Sequence, residues 1–86
     1  MRLSDLPPHQ AATVVAVDDL RPSDPIARRL RDLGFVNGEP VRIVAQGPVK
    51  RDPLLVQIGY TRFALRRSEA ERVRVDVETT AGVAAA

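Results

Sequence analysis

The sequence predicts one small, mainly β domain: about five short strands curling into a barrel, with one inserted α-helix and short helical turns. Three observations lead there. The chain has 86 residues, room for one core and no second. Several stretches alternate apolar and polar residues with the period of a half-buried strand, "RVRVDVE" (72–78) most cleanly. A single stretch carries the start signal, apolar stripe and stop signal of a helix.

In "LSDLPPHQ" (3–10), Leu3 and Leu6 are three apart, enough for one helical turn. Pro7-Pro8 ends it, because a proline disfavours helix in the residue before it. "ATVVAVDDL" (12–20) is β-branched, with Val15 and Val17 on one face and Val14 and Ala16 on the other. Two apolar faces predict a strand covered on both sides. "SDPIARRLRDLG" (23–34) is the helix. Asp24 supplies the N-cap, and Pro25 takes the first helical position, where its missing N–H costs nothing. Ile26, Leu30 and Leu33 form one stripe, Arg28, Arg29, Arg31 and Asp32 project away, and Gly34 offers the left-handed conformation that stops a helix.

Asn37-Gly38 signals a turn. "PVRIVAQ" (40–46) follows as a strand with Val41, Ile43 and Ala45 on one side, and "GPVKRDP" (47–53) reads as a polar loop. "LLVQIG" places Leu54, Val56 and Ile58 on one face, "GYTR" turns tightly, and "RFALR" returns with Phe63 and Leu65 inward. Ser68 and Glu71 have the spacing of a capping box and predict one short helical turn. The last strand points Val73, Val75 and Val77 in and Arg72, Arg74 and Asp76 out. "TTAGVAAA" (79–86) has low complexity and no pairing pattern, which predicts a disordered tail beyond a single domain of residues 1–78. Strands this short protect their edges by curling.

Composition narrows the function. There is no cysteine, which excludes disulfides, zinc knuckles and iron–sulfur clusters and fits a reducing compartment. The start lacks the apolar core of a signal peptide, and "AATVVAV" is far too short to cross a bilayer. The expectation is a soluble, cytoplasmic protein with no membrane insertion. Thirteen basic residues against eleven acidic ones leave a net charge of +2, too little to make nucleic acid the default partner.

Catalytic chemistry finds no foothold. His9 is the single histidine and the one candidate metal ligand, yet no second donor stands at ligand spacing from it. Ser4, Ser23 and Ser68 each precede a helical turn, where serine caps backbone N–H groups. No GxSxG elbow, P-loop or dinucleotide fingerprint occurs. Tyr60, in the tight turn, reads as a partly buried ring. Arg28, Arg29 and Arg31 on the helix, and Arg62, Arg66 and Arg67 after the turn, offer a surface for an acidic partner or a solvated face balanced by Asp32, Glu69 and Glu71. Stacking aromatics for RNA are scarce.

Taken in order, "LSDLPPHQAATVVAV", "RRLRDLGFVNGEPVRIV" and "GYTRFALRRSEAERVRV" resemble the FeoA family, ferrous iron transport protein A. That family opens with Leu-Ser-Asp/Glu-Leu-Pro-x-Gly, continues with Arg-Leu-x-x-Leu-Gly-Phe/Leu-x-x-Gly-x-x-Val and closes with Ala-Leu-Arg-x-x-x-Ala before a last strand. The resemblance covers Leu3 to about Val77. Two departures stand out: His9 occupies a place where the family often has glycine, and "DDLRPSDPIA" makes a longer, proline-marked entry to the helix.

The resemblance implies an SH3-like β-barrel with a helical insertion. It also implies a non-enzymatic cytoplasmic accessory of ferrous iron uptake that binds and modulates FeoB, the membrane transporter with a GTPase domain. A bound transition metal, ferrous iron, is implied by the resemblance alone. Two alternatives remain: a metal-linked regulatory domain like the C-terminal SH3-like domain of iron-dependent repressors, and a small RNA-binding barrel. The expected partner surface comprises Arg28, Arg29, Arg31, Leu33 and Phe35, with Gly34 and Gly38 shaping the corner beneath it. Exposed barrel edges leave homo-oligomers open.

Overall fold

The computed structural model describes residues 1–78; the expected disordered tail, 79–86, lies outside the described residues. Five antiparallel strands form one sheet: β1 (Ala12–Val17), β2 (Pro40–Val49), β3 (Asp52–Ile58), β4 (Thr61–Leu65) and β5 (Val73–Val77). Their spatial order is β4-β3-β2-β1-β5. Helix α1 (Pro25–Leu33) is inserted between β1 and β2, and the one-turn helix α2 (Arg67–Ala70) between β4 and β5. A 3-10 turn at Leu3–Asp5 opens the chain. The mainly β, SH3-like expectation stands, with one adjustment: β4 and β5 end the sheet without pairing, so it curls but does not close.

Two bulges explain how so small a sheet curls, since an extra residue in one strand bends it and increases its twist. In β1 the register against β5 shifts between Val14 and Ala16. Ala12, Val14 and Val17 are therefore buried while Val15 and Ala16 are only half-buried, which replaces the two covered faces expected from the sequence. In β2 a shift between Ile43 and Ala45 turns Ala45 outward and leaves Val41 and Ile43 in the core.

The stretch read as a polar loop is instead the end of a hairpin. β2 runs on to Val49 and β3 begins at Asp52, joined by Lys50 and Arg51, both at positive φ (53° and 56°). Two central residues at positive φ make the turn whose twist matches a hairpin. The core is aliphatic: Leu3, Leu30, Ile43, Leu54, Val56, Val73 and Val75 are at most 2% exposed, together with Phe35.

The two sheet edges differ. Along β5, the Val75 N–H donates to Met1 O (2.8 Å) and Arg2 bridges Arg74, so the N-terminus covers that edge. Among the described residues, no backbone hydrogen bond from outside the β3–β4 ladder reaches Thr61–Leu65 of β4.

Candidate functional site

Helix α1 is built as its sequence signals require. Asp24 Oδ1 accepts from the Ile26 N–H (3.0 Å) and the Ala27 N–H (3.4 Å), satisfying donors that the first helical turn leaves free. At the other end Gly34 adopts φ 114°. Its N–H donates to Arg31 O and the Phe35 N–H to Leu30 O, both at 3.1 Å, the Schellman arrangement that positive φ at this position makes available. Phe35 follows at once and is 1% exposed. Its ring stands 6.3 Å from that of Phe63, tilted by 46°, within the favourable range for an aromatic pair. The helix stop thereby ties α1 to β4.

Gly38, at φ 94°, completes the corner. Its N–H donates to Val14 O and Glu39 O accepts from the Val14 N–H, each at 2.9 Å. Gly34, Phe35 and Gly38 are thus one device that folds the chain from helix into sheet.

The surface above it is a groove. Ile26, Leu30 and Leu33 from α1 face Phe63 and Leu65 of β4, with Arg29 and Glu69 at the rim, around about 50 Å³. That is well short of the roughly 300–1,000 Å³ of a small-molecule pocket. A wider depression of about 380 Å³ continues past it, bordered by Arg29, Asp52, Pro53, Ala64, Arg66 and Glu69.

The expected partner residues separate into roles. Arg28 and Arg29 are exposed and have no ion-pair partner among the described residues. Arg31 is engaged, its Nη2 donating to Val17 O (2.7 Å) and Asp19 Oδ1 (2.9 Å). Leu33 lines the groove, whereas buried Phe35 supports it from beneath. Sequence reasoning missed the β4 side of this groove; Phe63, read as inward-facing, was its available signal.

Three other expectations are corrected. Tyr60 is fully exposed at the β3–β4 turn instead of partly buried. The α2 cap is Arg66, whose N–H donates to Glu69 Oε1 (2.8 Å), so Ser68 lies inside the helix and the Ser68–Glu71 box is not formed. Arg72, expected to point outward, is 8% exposed. Its Nε donates to Asp24 Oδ2 at 2.6 Å and its Nη1 to Ser68 O at 2.6 Å.

Asp24 is 2% exposed and also accepts from the Leu20 N–H. Burial pushes its carboxyl pKa up, but the Arg72 guanidinium and the N–H groups of Leu20, Ile26 and Ala27 outweigh that and bring it to about 2. Asp18 is lowered as well, chiefly by the hydrogen bond from Arg2 and then by Arg74. Their closest contacts to its Oδ2 are 2.6 and 2.8 Å.

With the geometry in view, comparison with known proteins decides the lineage. A family model, the FeoA domain, matches residues 1–77. The chain belongs to the FeoA family. A FeoA from Stenotrophomonas maltophilia, solved as a zinc complex, is 66% identical over 88% of this chain and 89% of that one, with a TM-score of 0.83. Iron(II) transport protein A from Clostridium thermocellum is 34% identical over 90% of this chain and 45% of that one, TM-score 0.78. FeoA from Chlorobium tepidum is 34% identical over 90% of this chain and 70% of that one, TM-score 0.75. An IdeR from T. acidophilum, 22% identical over 91% of this chain and 34% of that one, shares the fold, TM-score 0.71. No curated protein sequence matches the chain. FeoA membership links the chain to ferrous iron transport.

The FeoA resemblance implies a transition metal, for which this chain offers one histidine, no cysteine and its carboxylates as donors. Among the described residues no three of His, Cys, Asp and Glu gather to hold an ion. His9 stands exposed at φ 67°, held by its backbone N–H to Ile43 O (2.7 Å). These residues form no three-donor site within the described chain, and no role here is routed through a metal.

Proposed function

We propose that this chain is a non-enzymatic, cytoplasmic accessory of ferrous iron uptake that binds the cytosolic GTPase portion of FeoB and modulates the transporter. The observation that carries the reading is the α1–β4 groove, an apolar strip with Arg29 at its rim, exposed and without an ion-pair partner among the described residues. An apolar centre with an arginine rim is the usual composition of a protein-binding patch. The groove itself, at about 50 Å³, is below the size of a small-molecule pocket, and its apolar lining would take a protruding apolar side chain of another protein. Family membership supports ferrous iron transport as the setting. Among the described residues no helix is long and apolar enough to cross a membrane, so membrane attachment would come through the partner.

Calorimetric titration of the FeoB GTPase portion from the same organism, with and without nucleotide and ferrous iron, tests this. Saturable binding that Arg29→Glu weakens at least tenfold is expected. Absence of binding under every condition would refute FeoB's GTPase portion as the partner.

A further inference from the structure

We propose that the outer edge of β4 accepts an extended acidic segment of a partner protein as an additional strand. The segment's apolar side chains would enter the α1–β4 groove. This deepens the accessory-protein reading and rests on it for the source of the segment.

The edge is available. Ile58 and Thr61 pair across the Gly59-Tyr60 turn, and a two-residue hairpin closes on a hydrogen-bonded pair. Hydrogen bonding to β3 then alternates, so Thr61, Phe63 and Leu65 face β3 while Arg62 and Ala64 turn their N–H and C=O groups outward. The N-terminus covers the corresponding edge of β5. Ala64 borders both the groove and the wider depression, so the edge is open from either face.

Alternation of side chains specifies the occupant. On one face, Phe63 and Leu65 look into the apolar groove with Leu30 and Leu33. On the other, Arg62, Ala64 and Arg66 are exposed. An added strand has the same period of two, so one of its faces must be apolar and the other must meet arginines. Glu69 and Asp52 lie beside this face, but neither forms an ion pair with an arginine among the described residues, so the guanidiniums of Arg62 and Arg66 are left to meet a partner's carboxylates.

The same arginines argue against a second copy of this chain. Antiparallel pairing of two β4 edges centred on Ala64 would set Arg62 of one copy opposite Arg66 of the other, and like charges directly opposite are destabilising. Arginines on the edge thus deter self-pairing while drawing an acidic strand, the usual logic of recognition by strand addition.

The test titrates the full chain, by amide NMR, with a short synthetic peptide alternating Glu and Val. Slowed exchange at the Arg62 and Ala64 amides is expected, with no binding of the Lys-Val counterpart. Ala64→Pro removes an N–H that β3 does not use, and an edge strand tolerates proline there; it should weaken the peptide at least tenfold. A peptide N-methylated at alternate residues should lose binding to the unaltered chain, which keeps the test decisive should the variant misfold. Equal binding of the methylated peptide, unchanged affinity in a folded Ala64→Pro, or no protection at Arg62 and Ala64 would overturn the proposal. FeoB GTPase binding equally to Ala64→Pro and wild type would overturn strand addition and leave the accessory reading standing. Peptide binding without any binding of the FeoB GTPase portion would support the edge and refute that portion as the partner.

Discussion

Gly47→Ala is the most exacting stability prediction the fold offers. Gly47 lies where the register of β2 against β3 slips, between Gln46 and Val49. A Cβ added there would stand 2.1 Å from Asp52 O, 2.5 Å from Asp52 C and 2.8 Å from Pro53 N. All three are backbone atoms, so no side-chain rotation relieves the overlap, and the two strands must part by more than an ångström. Asp52 is not free to retreat: it pairs with Val49 and its Oδ1 accepts from the Arg67 N–H at 3.1 Å. Overpacking costs typically 1–3 kcal/mol, and a clash confined to backbone belongs at about 3. In a domain this size each kcal/mol moves Tm by about 4–8 °C, so a fall of about 12–24 °C is expected in a thermal melt followed by circular dichroism. Gly59→Ala is the control: at φ 56° its Cβ meets nothing nearer than Glu39 Oε2 at 3.7 Å. Only the left-handed penalty of roughly 1–2 kcal/mol applies there. A Gly47→Ala protein melting within about 3 °C of wild type would refute the reasoning.

Phe35→Ala should cost about 3–5 kcal/mol in urea unfolding, because it empties a fully buried ring site where α1 meets β4. Asp24 has its carboxyl at about 2 against an ordinary 3.8, so protons favour the unfolded chain. Its contribution is complete above the ordinary value and disappears as pH falls toward the lower one. Asp24→Asn should therefore lower stability at neutral pH and flatten the acid limb of the stability curve between pH 4 and 2; an unchanged limb would refute the assignment. Arg31→Gln should lose about 1 kcal/mol through the Val17 carbonyl contact while leaving partner affinity intact, and Arg29→Glu should do the reverse. Thermal melts and calorimetry on the same pair of variants check both halves.

Local signals in the sequence were sound wherever the chain solves its problem within a few residues. The Asp24-Pro25 start and Gly34 stop of α1, the Asn37-Gly38 turn, and the inward faces of β3 and β5 all follow from neighbouring chemistry. What escaped depends on partners distant in sequence. A bulge exists only relative to the strand opposite, so the outward turn of Ala45 could not be seen in β2 alone. Lys50 and Arg51 carry no glycine to advertise positive φ, which hid the hairpin tip in an apparent polar loop. Arg72 looked outward by alternation, yet it is drawn in by a carboxylate 48 residues earlier. The groove was half legible: its α1 wall came from the helical stripe, whereas its β4 wall needed the Phe35–Phe63 contact.

That long-distance pair has a consequence for how the chain comes into being. Asp24 starts α1 and also grips Arg72, which in turn holds the carbonyl of Ser68 and leads into the final strand. During synthesis the helix emerges well before the residue that neutralises its cap, so for that interval it lacks both its counter-ion and its floor of sheet. The groove cannot be presented by a chain that ends before β4, and a chain that ends before Arg72 leaves the Asp24 cap without its counter-ion. Amides of α1 and β5 should then exchange with solvent as one cooperative unit, despite their separation along the chain.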